Sequence, residues 1–288
     1  MKLLRIGEPG RERPHVALDG GLVLDVSDLT ADYTPQFLAG GGLDRLRAEV
    51  VRRAGTGAGA PVPEGARVGA PIPRPGKIVC IGLNYADHAA ETGAAIPAEP
   101  VVFMKAPDTF VGPRDEVRIP RGSAKTDYEV ELGVVIGSRA RYLESAAAGL
   151  AAVAGYLVCN DVSEREFQLE RGGTWDKGKS CETFNPAGPY LVTADEVPDP
   201  GGLDLWLDVN GQRRQSSNTK NLIFGVGELI RYVSQFMVLE PGDLINTGTP
   251  GGVALATGRP EDYLKPGDVV ELGITGLGAQ RVTFVAAP

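Results

Sequence analysis

The order of its short apolar runs most constrains how this chain can fold. From Lys77 onward, segments such as KIVCIGL, PVVFMKA, GYLVCNDV and QRVTFVA have the length and composition of buried strands. Fewer segments, among them SAAAGLAAVA and FGVGELIRYVSQFM, have the composition or spacing of helices. Because a doubly wound parallel sheet needs strands and helices in regular alternation, this irregular order predicts a mixed, strand-dominated α+β fold instead.

The N-terminal part is predicted to form a smaller unit. Residues 1–26 resemble short strands separated by turns, and residues 43–53 have helical apolar spacing. The segment 55–76 is so rich in Gly, Pro and Ala that we expect a connector without regular elements. We therefore divide the chain into a small N-terminal domain, residues 1–72, and a larger domain, residues 73–288.

Charge and composition argue against several classes of partner. The formal net charge is −8 and no basic run is present, which disfavours a nucleic-acid partner. An anionic ligand would therefore need its own local cations. No run approaches the roughly 20 apolar residues of a membrane span. Three cysteines without a CxxC pair, and an N-terminus without a signal peptide, predict a cytoplasmic protein.

Glu129 and Glu131 are the strongest local candidates for a functional site. Residues two apart on a strand face the same side, and Val130 and Leu132 would then face the other. Two neighbouring carboxylates at a buried strand raise a pKa or require a cation. Solvated acids on an exposed strand face are an equally good interpretation of this segment alone.

Asp161 follows the apolar run GYLVCN, at the position where a chain leaves a sheet and site residues gather. A third carboxylate there would complete a set of hard oxygen ligands, which suits Mg²⁺, Mn²⁺ or Ca²⁺ and not Zn²⁺. Taken by itself, Asp161 is more simply explained as the N-cap of a helix beginning in SEREFQ.

His88 and Glu91 are three residues apart and would be neighbours on a helix, where the carboxylate can orient the imidazole as a general base. On this spacing alone, an ordinary surface pair is the simpler explanation. Lys179 lies in a Gly- and Ser-containing segment that could approach a ligand, but the local sequence does not distinguish it from a solvated lysine.

Together these segments resemble the fumarylacetoacetate hydrolase superfamily, and most closely its bacterial members proposed to cleave 2,4-dioxo-3-deoxy sugar acids or acylpyruvates. The matching stretches, in chain order, are IGLNYADHAAE, EPVVFMKA, TDYEVELGVVIG, GYLVCNDVSEREFQ, WDKGKS, LWLDVNGQ and LEPGDLINTGTPGGV. The resemblance implies a mixed β-sandwich roll preceded by a small N-terminal α/β domain, and an assembly of two chains or a higher even number.

The resemblance also implies roles for individual residues. Glu129, Glu131 and Asp161 match the ligands of one Mg²⁺ or Mn²⁺ per chain. His88 and Glu91 match a catalytic dyad, and Lys179 matches a lysine that stabilises developing negative charge. The remaining matches are Arg165, Gln168 and Thr249, which would contact a small 2-oxo acid substrate.

The implied reaction is hydrolysis of the C3–C4 bond of a 2,4-dioxo acid to pyruvate and a carboxylic acid. Other members decarboxylate oxaloacetate-like acids or isomerise 2-hydroxyhepta-2,4-diene-1,7-dioate, and all of these reactions share an enolate of a 2-oxo acid. The presence of both His88 and Glu91 favours hydrolysis, since water needs a base. A non-catalytic metal-binding protein on the same fold is the alternative from another class.

Overall fold

The computed structural model describes residues 1–54, 57–93 and 95–288. Its strands are β1 (Lys2–Ile6), β2 (Arg13–Ala17), β3 (Leu22–Asp25), β4 (Ala60–Pro61), β5 (Val68–Gly69), β6 (Ile78–Gly82), β7 (Val101–Lys105), β8 (Phe110–Val111), β9 (Val117–Ile119), β10 (Thr126–Asp127), β11 (Val130–Ile136), β12 (Val153–Asn160), β13 (Ser163–Glu164), β14 (Asn185–Pro186), β15 (Leu191–Thr193), β16 (Asp204–Val209), β17 (Gln212–Asn218), β18 (Leu244–Asn246), β19 (Val269–Ile274) and β20 (Gly278–Ala286). Its α-helices are α1 (Pro35–Ala39), α2 (Gly42–Ala54), α3 (Ala86–Thr92), α4 (Ala146–Ala151), α5 (Arg165–Leu169), α6 (Asp176–Lys179), α7 (Val226–Val233) and α8 (Ala254–Thr257). The predicted strand-dominated α+β class is confirmed.

One large sheet organises the fold. Its strands follow the order β4-β3-β2-β1-β15-β12-β11-β18-β6-β7, and β5 also pairs with β1. A second sheet has the order β17-β16-β19-β20-β9, and short pairs join β10 to β13 and β8 to β14. In the large sheet β18 and β6 run parallel, whereas β11 is antiparallel to both of its neighbours.

The large sheet is covered on both faces. Alternate residues of β11, such as Val130 and Leu132, join a buried cluster with Leu207 of β16 and Leu272 of β19. Residues of the opposite face, such as Leu157 of β12, instead pack in a cluster with helix residues Leu38, Leu46 and Val50. The second sheet and the N-terminal helices therefore lie on opposite sides of the large sheet.

The N-terminal strands continue the same large sheet. Lys2 of β1 pairs with Val192 of β15, so the backbone hydrogen bonds run on between the N-terminal unit and the rest. The expectation of a connector without regular elements was wrong at β4 and β5, which pair with β3 and β1; residues 55 and 56 lie outside the described residues. The division at residues 72 and 73 stays a prediction.

Asn210 and Gly211 form a two-residue hairpin turn. It joins β16 to β17, and both residues have positive φ, 50° and 76°, as a two-residue hairpin turn requires. The Ala-rich helix is present but short, because α4 ends at Ala151 and β12 begins at Val153. Strand pairing of β12 therefore limits the length of α4, despite the high helix propensity of the alanines.

Candidate metal centre

The register of β11 and β12 brings three carboxylates together. Val130 lies opposite Asn160, and the Asp161 N–H donates to the Glu129 carbonyl oxygen at 2.9 Å. Glu129 precedes β11, Glu131 is its second residue, and Asp161 follows β12 directly. One oxygen from each side chain lies within 4.8 Å of the others, and all three side chains are buried. This arrangement can hold a single cation.

Two buried lysines contact the same carboxylates. Lys179 Nζ lies 2.8 Å from Glu129 Oε2 and 2.9 Å from Asp161 Oδ2. Lys105 Nζ lies 2.5 Å from Asp161 Oδ1 and donates to the Val162 carbonyl oxygen at 3.0 Å. The acidic chain thus supplies the local cations that an anionic ligand would need.

Arg165 extends this charged network. It lies 2.7 Å from Glu129 Oε1 and 2.8 Å from Asp127 Oδ2, and its Nη1 donates to Gln168 Oε1 at 3.0 Å. The Asp127 carboxylate also accepts the Ala254 N–H at the start of α8. Arg165 and Gln168 are therefore held beside the acids with their polar ends fixed.

The two glutamates differ in their electrostatics. Burial raises the pKa of Glu129, but Lys179 and Arg165 outweigh burial and bring that pKa to about 2. Burial raises the pKa of Glu131 well above its ordinary value, and the nearby Asp161 and Glu129 carboxylates raise it further. A divalent cation would relieve this repulsion. With three oxygen donors and no His or Cys, the set fits Mg²⁺ or Mn²⁺.

The loop after β18 borders the same site. The Gly248 N–H donates to Glu131 Oε2 at 2.7 Å, and within the described residues Glu131 forms no ion pair. Thr249 Oγ1 donates to the Val130 carbonyl oxygen at 3.0 Å and accepts from Gln215 Nε2 at 2.8 Å. Thr249 is thereby fixed between the large sheet and β17.

His88 and Glu91 lie together on α3. His88 Nδ1 is 3.4 Å from Glu91 Oε2, and the same oxygen accepts the Gly252 N–H at 3.0 Å. The His88 side chain is only 13% exposed and lines the pocket that Glu129 and Glu131 also line. The simple surface-pair interpretation therefore does not describe His88, although Glu91 is 38% exposed.

All nine predicted site residues lie at or beside one pocket. Glu129, Glu131, His88, Arg165, Gln168, Lys179 and Thr249 line it. Asp161 contacts Lys179, and Glu91 contacts His88. The N-cap interpretation of Asp161 was wrong, because Glu164 caps α5. The individual roles of the nine predicted site residues stay predictions.

Lys105 and Asp127 were missed by the sequence analysis. Lys105 is the single charged residue at the end of the apolar run PVVFMK, and a lone charge in that position was an available signal. Asp127 carried no such signal, because its partners Arg165 and Ala254 are distant in sequence.

The chain is similar to several known proteins. The family model for the fumarylacetoacetate (FAA) hydrolase C-terminal domain matches residues 77–285. A protein of Burkholderia multivorans is 52% identical over 97% of both chains. Its name assigns it provisionally to the hydrolases and gives no substrate.

Solved structures match in full length. Fumarylacetoacetate hydrolase from Exiguobacterium antarcticum is 34% identical with a TM-score of 0.83, and both chains are covered completely. Maleylpyruvate hydrolase from Sphingobium sp. SYK-6, in complex with manganese and pyruvate, is 28% identical with a TM-score of 0.82, again over 100% of both chains. A 2-hydroxyhepta-2,4-diene-1,7-dioate isomerase from Mycobacterium marinum is 31% identical with a TM-score of 0.75, over 99% of this chain and 98% of that one.

None of the described helices has the length and apolarity required to span a bilayer. The buried acidic triad, the mixed sheet architecture and the full-length similarities agree with one another. The resemblance found in the sequence is thus confirmed, and the chain belongs to the fumarylacetoacetate hydrolase family of metal-dependent enzymes.

Proposed function

We propose that the protein hydrolyses the C3–C4 bond of a small 2,4-dioxo acid, an acylpyruvate or a 2,4-dioxo-3-deoxy sugar acid, with one Mg²⁺ or Mn²⁺ per chain. One observation carries the proposal: the acidic triad, Lys179 and the His88–Glu91 pair surround a single pocket. The cytoplasmic location and the homodimer expected from the sequence stay predictions beside it.

Glu129, Glu131 and Asp161 would hold the ion. When bound, a divalent ion supplies Lewis-acid polarisation of the oxo and carboxylate oxygens of a substrate. Arg165 and Gln168, already fixed beside Glu129, would bind the substrate carboxylate. Such contacts would orient the acid head, and C4 would then face His88, which lines the same pocket.

His88, oriented by Glu91, would accept a proton from a water molecule as that water adds to C4. Lys179, with its charge held between two carboxylates, would stabilise the oxyanion that forms at C4. The C3–C4 bond then breaks with its electron pair on C3, and C3 takes a proton. One dioxo acid and one water thereby give one carboxylic acid and one pyruvate.

Isomerisation and decarboxylation are the competing reactions on this site. Isomerisation is favoured by the similarity to the Mycobacterium marinum isomerase. Hydrolysis is supported by the base pair beside the pocket and by the similarity to a hydrolase that binds manganese and pyruvate. A non-catalytic protein would have little use for buried Lys179 and Lys105 around the same acids.

The test is a substrate panel measured with Mg²⁺ or Mn²⁺. Acylpyruvates, a 2,4-dioxo sugar acid, oxaloacetate and 2-hydroxyhepta-2,4-diene-1,7-dioate are incubated with the enzyme, and pyruvate, acid, CO₂ and absorbance are followed. We expect equal amounts of pyruvate and acid from a dioxo acid, with none after the metal is chelated. Turnover confined to oxaloacetate or to the diene acid would replace hydrolysis by decarboxylation or isomerisation.

A further inference from the structure

We propose that the substrate group beyond C4 is apolar and that five side chains select it: Leu83, Phe103, Leu169, Trp175 and Leu255. This inference rests on the proposed function and narrows it. Of the two kinds of 2,4-dioxo acid, it favours an acylpyruvate with a hydrocarbon tail over a polyhydroxylated sugar acid.

The pocket is divided by polarity. Its volume is about 190 Å³, which is below the usual range for drug-sized ligands and fits a small acid. Most polar side chains among the described lining residues belong to the charged end: Arg165 contacts Gln168 and Glu129, Lys179 contacts Glu129, and Thr249 contacts Gln215. His88 also lines the pocket and would face the reacting C4. These groups would serve the acid head and C4, and Leu83, Phe103, Leu169, Trp175 and Leu255 are left to line the space for a tail.

An aromatic wall leads away from the charged end. Lys179 Nζ lies 5.1 Å from the centre of the Phe103 ring, and the Phe103 and Trp175 rings meet edge to face with centres 5.3 Å apart. The Trp175 ring lies so close to Gly82 that a Cβ there would be 2.5 Å from Trp175 Cζ3. Gly82 therefore permits the close approach of the Trp175 ring to β6, and Trp175 lines the pocket.

Leu83 forms the next part of this apolar surface. Its φ is 53°, in the left-handed region that glycine adopts freely and that a leucine adopts only with backbone strain. The structure nevertheless places a leucine there, lining the pocket. A strained backbone that carries a side chain into a pocket is a sign that the side chain is used.

Two partly exposed leucines complete the apolar half. Leu169 at the end of α5 is 47% exposed, and Leu255 in α8 is 38% exposed, yet both line the pocket. An apolar substrate tail would cover both leucines. Each methylene buried against them should raise kcat/KM by about fourfold. A hydroxyl in the same position would lose its water without gaining a partner.

The experiment compares three substrates under saturating Mn²⁺: 2,4-dioxopentanoate, 2,4-dioxoheptanoate, and the seven-carbon acid with hydroxyls on its two tail methylenes. We expect the plain seven-carbon acid to exceed 2,4-dioxopentanoate in kcat/KM by about 16-fold, since two methylenes are buried, and to exceed the hydroxylated acid by at least about tenfold. Preference for the hydroxylated acid would overturn the inference and leave the proposed hydrolysis standing. If no dioxo acid releases pyruvate, the proposed function fails. The tail preference is then tested by binding, with 2-oxoheptanoate and a hydroxylated 2-oxo acid compared for the rise in melting temperature that each gives. A larger rise with the hydroxylated acid would overturn the inference.

Variants identify the selecting residues. Leu169→Ser and Leu255→Ser should each lower the preference for the plain tail over the hydroxylated tail by about threefold to tenfold. Both positions are partly exposed, so folding should survive the change. Leu29→Ser is the matched control, a 42% exposed leucine in the N-terminal unit, and should keep the wild-type preference. An unchanged preference in both pocket variants would remove these leucines from selection.

Discussion

Lys105 Nζ lies 2.5 Å from Asp161 Oδ1, and both side chains are completely buried. The contact joins the end of β7 to the residue that follows β12, two segments on opposite sides of β11 in the large sheet. Removing one member of a buried ion pair leaves the charge of the other poorly compensated. The pair therefore couples the stability of the fold to the charge state of the candidate metal centre.

Replacing Lys105 by Met should destabilise the protein without metal by about 3 kcal/mol, because Asp161 loses one of its two lysine partners. Saturating Mn²⁺ should restore part of this loss, since the ion supplies positive charge at the same carboxylate. Urea unfolding with and without Mn²⁺ measures both effects.

Lys125→Met is the matched control for this experiment. It removes an ion pair to Glu170 in which both side chains are well exposed, so the loss should stay under about 1 kcal/mol and should not depend on Mn²⁺. Equal losses for the two variants would show that the buried pair carries no special weight.

The two histidines of the chain allow a clean test of the base. His88→Ala should lower kcat for dioxo acid hydrolysis by about 10²- to 10⁴-fold while Mn²⁺ still binds, because general-base catalysis supplies gains of that size. His15→Ala, in β2 and outside the pocket, should keep wild-type turnover. The dyad would be rejected by a His88→Ala enzyme with normal kcat, or by one that fails to bind the metal.

The half-buried thiol of Cys181 gives a prediction about pH. Burial raises the pKa of Cys181 to about 11, and only the thiolate is reactive. At about pH 8 the folded protein should therefore react with a thiol reagent roughly 100-fold more slowly at Cys181 than the unfolded chain does. Because folding raises the pKa of Cys181, the neutral thiol contributes to the free energy of unfolding below about pH 8.5. This contribution is lost as the pH rises through about 11.

Peptide mapping after timed alkylation assigns the modified cysteine, and Cys181→Ser is the control that should remove the signal. Cys80 and Cys159 are fully buried and should react only on unfolding. Rapid modification of Cys181 in the folded protein near neutral pH would contradict the raised pKa.

The metal ligands could be predicted from the sequence because their signals are local. Glu129 and Glu131 are two residues apart at the start of β11, and Asp161 directly follows β12. Their assignment to one site needed the resemblance, since spacing alone left solvated acids and a helix cap as alternatives. The structure removes both alternatives by burying the acids and by placing the α5 cap at Glu164.

The remaining contacts depend on tertiary packing. Lys105 reaches Asp161 from β7, and Gly248 reaches Glu131 from the loop after β18, more than 50 residues away in each case. The continuity of β1 with β15 was likewise outside any local pattern, because it joins Lys2 to Val192. Such pairings follow from how strands assemble and not from periodicity within one segment.

The most direct test of the central claim is Mn²⁺ binding to the wild-type protein and to Glu131→Gln. The amide oxygen of this variant can still accept the Gly248 N–H. The substitution removes a buried negative charge beside two others. The metal-free variant should therefore be at least as stable as the wild type. Electron paramagnetic resonance of free Mn²⁺ should show one ion bound per wild-type chain and none by Glu131→Gln. Stoichiometric binding by the variant, or none by the wild type, would contradict a metal centre formed by Glu129, Glu131 and Asp161.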